Sequence, residues 1–205
     1  MSASIYTTLF LDIGNVLLTN GWDHHMRNRA AKLFDIDEAE MNARHSLTFD
    51  TYEIGKISLD EYIKRVVFFQ PRNFVPEVFK TYMLEQSQPF QSMLTLIKDL
   101  KKRYKLKIVA VSNEGKELMV HRAQKFKLKE IFDSFICSSF VHLRKPDLEI
   151  FQLALDTSQT SPSEVIYVDD RKMLVELIET LGVKGIHHKS YEETKMQLEN
   201  LLNRN

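Results

Sequence analysis

The chain has 205 residues, 43% hydrophobic and 27% charged, a balance that suits a globular protein whose core needs no disulfide staples. Lysine plus arginine and aspartate plus glutamate stand at 28 each, so bulk charge favours neither a nucleic-acid partner nor an anionic membrane. Cys137 is the single cysteine, which excludes an internal disulfide framework and fits a reducing compartment.

In chain order, Thr7 to Leu11 is a short run of β-branched and apolar residues and reads as a buried strand. No basic residue precedes this run, and it meets Asp12 at once, unlike a signal peptide. Nothing approaches the roughly 20 apolar residues of a membrane helix, and a cytoplasmic location is expected. From Trp22 to Gln88 the pattern is helical. Trp22, Met26, Ala30, Leu33 and Phe34 fall on one helical face. Asp37 with Glu40, and Ser58 with Glu61, have the spacing of capping boxes. Pro76 opens a further helix that carries Val78, Phe79, Tyr82 and Met83.

After Pro89 strands and helices alternate. Met93, Leu96, Ile97 and Leu100 mark a helix, and Lys107 to Ser112 a second strand. A helix from about Lys116 to Phe126 leads to a third strand, Phe135 to Ser139. Asp147 to Leu155 is helical, Val165 to Val168 is a fourth strand and Met173 to Leu181 is helical. Lys184 to His187 is a fifth strand, and a polar helix closes the chain. Strands separated by helices predict an α/β fold, a Rossmann-like doubly wound parallel sheet with an inserted α-helical cap. The expected division is a core of residues 1–17 and 89–205 and a cap of residues 18–88.

Such sheets hold ligands at the carboxyl ends of their strands. There the sequence puts Asp12, Ser112-Asn113 and Asp169-Asp170, with Lys145 just past the third strand. Each has a plain reading alone: a turn acid, a helix N-cap, a solvated turn, a surface lysine. Together they suit a phosphate monoester, whose dianion resists an anionic nucleophile until a divalent ion and a lysine offset its charge. Asp12 and Asp170 supply the oxygen ligands magnesium prefers. Ser112 and the helix start behind it suit phosphate oxygens, and Lys145 adds a point charge.

The stretches Asp12-Ile13-Gly14-Asn15-Val16, Val111-Ser112-Asn113, Arg144-Lys145-Pro146-Asp147 and Tyr167-Val168-Asp169-Asp170 resemble, in order, the four motifs of the haloacid dehalogenase-like superfamily. The likeness runs from about residue 7 to residue 187, and the helical insert resembles the small α-helical cap of one branch. The resemblance implies Asp12 as nucleophile and metal ligand and the Gly14 carbonyl as a second ligand. It implies Asp170 as a direct ligand, with Asp169 acting directly or through water. Ser112, Lys145 and the Asn113 backbone would bind phosphate. The activity implied is Mg2+-dependent hydrolysis of a small phosphorylated metabolite through an aspartyl-phosphate.

Two departures stand out. Gly14 replaces the second aspartate of the usual first motif, the general acid and base, although the Asp-x-Gly-Asn-Val form is similar to a subset that includes sugar-phosphate phosphatases. Leu174 stands where the family often has Asp or Asn. Two rivals follow: a non-catalytic protein that binds a phosphorylated ligand or a partner, and a metal-independent dehalogenase, against which the acidic pair argues. A phosphosugar mutase leans on the aspartate that Gly14 replaces.

His24-His25 and His187-His188 are adjacent pairs and lack the spacing of a helical metal site. Trp22, His24, His25, Tyr52, Glu53 and Arg144 are candidate substrate contacts. The oligomeric state and the metabolite are not encoded in any motif.

Overall fold

The protein is described by a computed structural model covering residues 5–203. It opens with β1 (Thr8–Leu11). Four helices follow: α1 (His24–Leu33), α2 (Glu38–Glu53), α3 (Leu59–Val66) and α4 (Pro76–Glu85). The chain continues through α5 (Gln91–Tyr104), β2 (Lys107–Ser112), α6 (Lys116–Lys125), β3 (Ser134–Cys137) and the short α7 (Ser138–Val141). It closes with α8 (Leu148–Ser158), β4 (Val165–Asp169), α9 (Lys172–Glu179), β5 (Lys184–His187) and α10 (Tyr191–Leu202). No helix among the described residues is long and apolar enough to cross a membrane.

The strands form one parallel sheet in the order β3-β2-β1-β4-β5. Leu9 of β1 pairs with Ile108 on one side and Ile166 on the other. The chain winds out through β2 and β3, then crosses back to β4 and β5. This is the doubly wound arrangement, with its crevice at the carboxyl ends where the winding reverses. The pleat sorts the core. Leu9, Leu11 and Ile108 pack with Ile97 of α5 and Leu198 of α10. Phe10, Val109 and Val111 point the other way, onto Phe151 of α8 and Ile178 of α9. All of these are buried, as a sheet covered on both faces requires.

The helical insert has its own core, including Trp22, Met41, Tyr62, Phe79 and Met83. Its helix starts follow the sequence in part. The Asp37 side chain accepts from the Glu40 N–H at 2.8 Å, and Ser58 Oγ accepts from the Glu61 N–H at 3.2 Å. The reciprocal half of each box is not made, because Glu40 and Glu61 turn forward to accept from Arg44 and Arg65 at 3.0 and 2.7 Å. Leu33, expected on the inner face of α1, is 64% exposed. That helix buries Ala30 and Ala31, and at about 100° per residue a face centred between them leaves Leu33 about 110° round the axis.

Two strand ends also differ from expectation. β3 stops at Cys137 and Ser138 starts a helical turn. The Ser138 hydroxyl donates to the Glu53 carbonyl at 2.7 Å and accepts from the Glu114 N–H at 2.9 Å, which draws the chain off the ladder. β4 runs one residue further, because Asp169 still pairs with His187.

The Ser138 contact is one of several between insert and sheet. His142 Nδ1–H donates to the Ile54 carbonyl at 2.8 Å, and the Leu59 N–H donates to Glu117 Oε1 at 3.1 Å. Gly115 lies flat against the buried Tyr52 ring, and a Cβ there would stand 2.2 Å from two ring atoms. Gly115→Ala is expected to destabilise the fold by about 1–3 kcal/mol through overpacking. A urea midpoint lowered at constant m-value is the expected reading; an unchanged midpoint would show that the ring has room to move.

Candidate active site

Asp12 follows β1, and its N–H donates to the Val168 carbonyl of β4 at 3.0 Å, which holds it between two strand ends. Ser112, the last residue of β2, donates to Asp12 Oδ1 at 2.6 Å. Lys145 enters from the loop between α7 and α8. Its Nζ lies 3.1 Å from Asp12 Oδ1 and 2.7 Å from Asp169 Oδ2, and it donates to the Tyr167 hydroxyl at 3.2 Å. An ammonium has three N–H groups, and here three acceptors meet them. Lys145 is only 4% exposed.

Asn113 positions this lysine. Its Nδ2 donates to the Lys145 carbonyl at 2.8 Å, while its Oδ1 accepts from the Lys145 N–H at 2.9 Å. The Asn113 side chain is thus committed to the loop and only its backbone faces a ligand role. Tyr167 OH donates in turn to Asp169 Oδ2, and Asp169 Oδ1 accepts from the Arg171 N–H at 2.7 Å.

The two carboxylates beside the lysine differ in electrostatics. Burial pushes the Asp12 carboxyl above its ordinary range against the pull of Lys145, and the negative charge of Asp169 adds to the rise. Burial also opposes the charge of Asp169, but Lys145, Tyr167 and the Arg171 N–H outweigh it and hold that carboxyl low. Burial alone would lower Lys145; Asp12 and Asp169 together reverse this and keep it cationic.

Oxygens of Asp12, Asp169 and Asp170 lie within 4.8 Å of one another, a donor set able to hold a metal ion. Three carboxylates against one lysine leave an excess of negative charge, and hard oxygen donors match magnesium or manganese. Asp170 Oδ2 accepts from Asn15 Nδ2 at 2.9 Å, from a residue in the left-handed region (φ 53°) that Asn tolerates. Leu174, buried on the cavity wall, offers no such bond, and Asn15 orients Asp170 instead. Gly14 also lines the cavity, and a Cβ there would come within 2.5 Å of Asn20 Oδ1. Asn20 thus occupies the space into which an acidic side chain at position 14 would start. His187 Nε2–H donates to the Asp170 carbonyl at 3.0 Å, and His188 bonds Thr194 at 2.7 Å, so both histidines are engaged within the protein.

Asp12, Ser112, Asn113, Lys145 and Asp170 floor a cavity of about 280 Å3, near the small end of ligand pockets, which run from about 300 to 1,000 Å3. The insert supplies its other wall: Trp22, Arg27, His45, Phe49 and Glu53. Arg144 ties the walls together, with Nη1 2.5 Å from Asp50 Oδ2 and Nη2 2.6 Å from Glu53 Oε2. Of the candidate contacts, Trp22, Glu53 and Arg144 line the cavity. Tyr52 is buried behind it, and His24 and His25 are exposed, their rings against each other.

Arg27, His45, Glu114 and Arg122 carried no motif and were missed. Arg122, 1% exposed, pairs with Glu114 and donates to Ser87 Oγ at 2.8 Å and to the Thr19 carbonyl at 2.9 Å, pinning both crossings into the insert. Burial raises the Glu114 carboxyl to about 7 despite Arg122. Burial, aided by Arg27, lowers His45 to about 4, so it is neutral at physiological pH.

A family model described as haloacid dehalogenase-like hydrolase matches residues 33–187. That span contains Ser112, Lys145, Asp169 and Asp170 but not Asp12. Among curated proteins, drimenol cyclase of Aspergillus calidoustus is 27% identical over 201 residues, 94% of this chain and 36% of the cyclase. A sesquiterpene phosphatase of Aspergillus oryzae is 34% identical over 73 residues, 36% of this chain and 37% of that protein. The matches thus span little more than a third of either relative. Among solved structures, a family enzyme of Bacteroides thetaiotaomicron in complex with magnesium and inorganic phosphate superposes with a TM-score of 0.75. It is 18% identical, with 90% of this chain and 94% of that chain covered. The L-2-haloacid dehalogenase of Xanthobacter autotrophicus, with chloropropionic acid covalently bound, reaches 0.63 at 12% identity, covering 95% and 83%. Both share the fold.

The neutral His45 has a consequence for stability. Its folded value lies below the ordinary 6.5, so between pH 6.5 and 4 the unfolded chain takes up a proton that the folded chain does not. Stability from this residue is therefore present above pH 6.5 and is lost as pH falls towards 4. Urea midpoints across that window should fall less steeply for His45→Gln than for the wild type; equal slopes would show that His45 titrates freely.

Proposed function

The chain belongs to the haloacid dehalogenase-like hydrolase family, and we propose that it hydrolyses the phosphate monoester of a small metabolite through an aspartyl-phosphate at Asp12. The observation that carries this reading is the shared cavity, where Asp12 and Asp170, clustered with the buried Asp169, meet a buried lysine and a serine hydroxyl. The phosphatase and the magnesium–phosphate complex among the similar proteins support it.

In this reading Asp12, Asp170 and the Gly14 carbonyl would hold a magnesium ion, with Asp169 acting directly or through water. The ion would offset negative charge beside the nucleophile and polarise phosphoryl oxygens. Ser112, Lys145 and the Asn113 N–H would hold the phosphoryl oxygens, with Ser112 and Lys145 each turning a proton from Asp12 to the ligand, so positioning and electrostatics do most of the work. The Asp12 carboxylate forms a bond to phosphorus as the ester oxygen leaves with its electron pair. Water then attacks the acyl phosphate, returning the Asp12 carboxylate and releasing inorganic phosphate. Residues 18–88 act as a cap over a core of residues 1–17 and 89–205 and exclude bulk water.

The leaving oxygen needs a proton, and Gly14 cannot give one. Positioned acid–base catalysis is worth about 10²–10⁴ in rate. Esters of better leaving groups lose least by its absence, so sugar 1-phosphates should outpace phosphates of primary alcohols. Equal or reversed rates over a matched panel would oppose this.

Phosphate release from an aryl phosphate with magnesium tests the whole reading. Chelation should abolish it and added magnesium restore it, while Asp12→Asn should cost at least about a thousandfold. Chloride release from a 2-haloacid without metal would replace this reading with a dehalogenase. Magnesium binding without any turnover would make the chain a binding protein.

A further inference from the structure

His45 sits on the cap wall of the cavity, in a helix where no motif singles it out. A relay of buried groups sets its tautomer. Trp22 Nε1–H donates to the Tyr62 hydroxyl oxygen at 2.8 Å, and indole N–H is a donor only. The Tyr62 hydroxyl lies 2.8 Å from His45 Nδ1. Trp22 can only donate, so among the described residues His45 Nδ1 is the acceptor in reach of the buried Tyr62 O–H, and the arrangement that leaves no donor unpaired has Nδ1 accept. The imidazole proton is left on Nε2. No protein acceptor meets Nε2–H among the described residues. The ring is braced by Phe49, with centroids 4.5 Å apart, and Trp22 and Tyr62 are both in the insert core, so the donor is rigidly mounted. Burial and the nearby Arg27 keep the ring uncharged.

Resting on the phosphatase reading, we propose that His45 is a specificity-determining residue. Its Nε2–H reads a hydrogen-bond-accepting oxygen on the leaving group of the phosphate ester. Around it the cavity is small and lined by polar groups as well as Trp22 and Phe49. Glu53 adds an acceptor for a neighbouring hydroxyl, its carboxylate braced by Arg144. A compact, oxygen-bearing leaving group fits this wall, and a plain hydrocarbon would leave the mounted N–H unpaired, at a cost in affinity.

The test compares kcat/KM for a hexose 1-phosphate and for cyclohexyl phosphate, a ring of like size without acceptor oxygens, in the wild type, His45→Phe and His45→Gln. His45→Phe should lower the hexose-to-cyclohexyl ratio about five- to tenfold, chiefly through KM, the worth of one hydrogen bond. His45→Gln, which keeps an N–H, should recover most of it. A ratio unchanged by His45→Phe overturns the proposal. Independently of turnover, 15N chemical shifts should show Nδ1 unprotonated and Nε2 protonated at neutral pH, with that preference weakened in Tyr62→Phe. A protonated Nδ1 in the wild type also overturns it. No turnover of either ester by the wild type would instead remove the phosphatase reading beneath it.

Discussion

A single buried ammonium organises the site. Lys145 is almost wholly enclosed, and a lone charge there would be prohibitively costly to desolvate. It is tolerated because Asp12, Asp169 and Tyr167 use all three of its protons. Those partners come from the ends of two adjacent strands, and the lysine from a loop clamped by Asn113 at the end of a third. Removing any partner would leave an uncompensated group in the crevice. The sheet order, the loop and Asp12 are therefore interdependent.

The same pairing explains the unequal carboxylates. Asp169 has the lysine, a phenol and a backbone N–H, and stays ionised. Asp12 shares the lysine and has Ser112, and burial still presses it towards its neutral form. In the proposed reading a divalent ion would add positive charge beside Asp12 and favour its carboxylate form. Asn20 fills the space beside Gly14, and Asn15 orients Asp170 where Leu174 does not.

Much of the core was legible because its signals are local. Buried parallel strands read as short apolar runs, and the chemistry-bearing residues stood where those runs end. The boundaries that moved did so for non-local reasons. Ser138 leaves β3 because its hydroxyl finds Glu53 and Glu114, partners distant in sequence. The cap wall was mostly illegible. His45 and Arg27 lie on helices without motifs and reach the cavity only through the tertiary packing of Trp22, Tyr62 and Phe49. Arg122 reads as an ordinary helix residue until the crossings at Thr19 and Ser87 close on it.

The central claim is that Asp12 takes the phosphoryl group. With no acid–base side chain at position 14 to activate water, breakdown of the intermediate should be slowed, which favours trapping it. Acid quenching during turnover of an aryl phosphate with magnesium, followed by peptide mass mapping, should find a phosphoryl adduct on Asp12. An adduct on another residue, or steady turnover with none detectable at any quench time, would contradict the account.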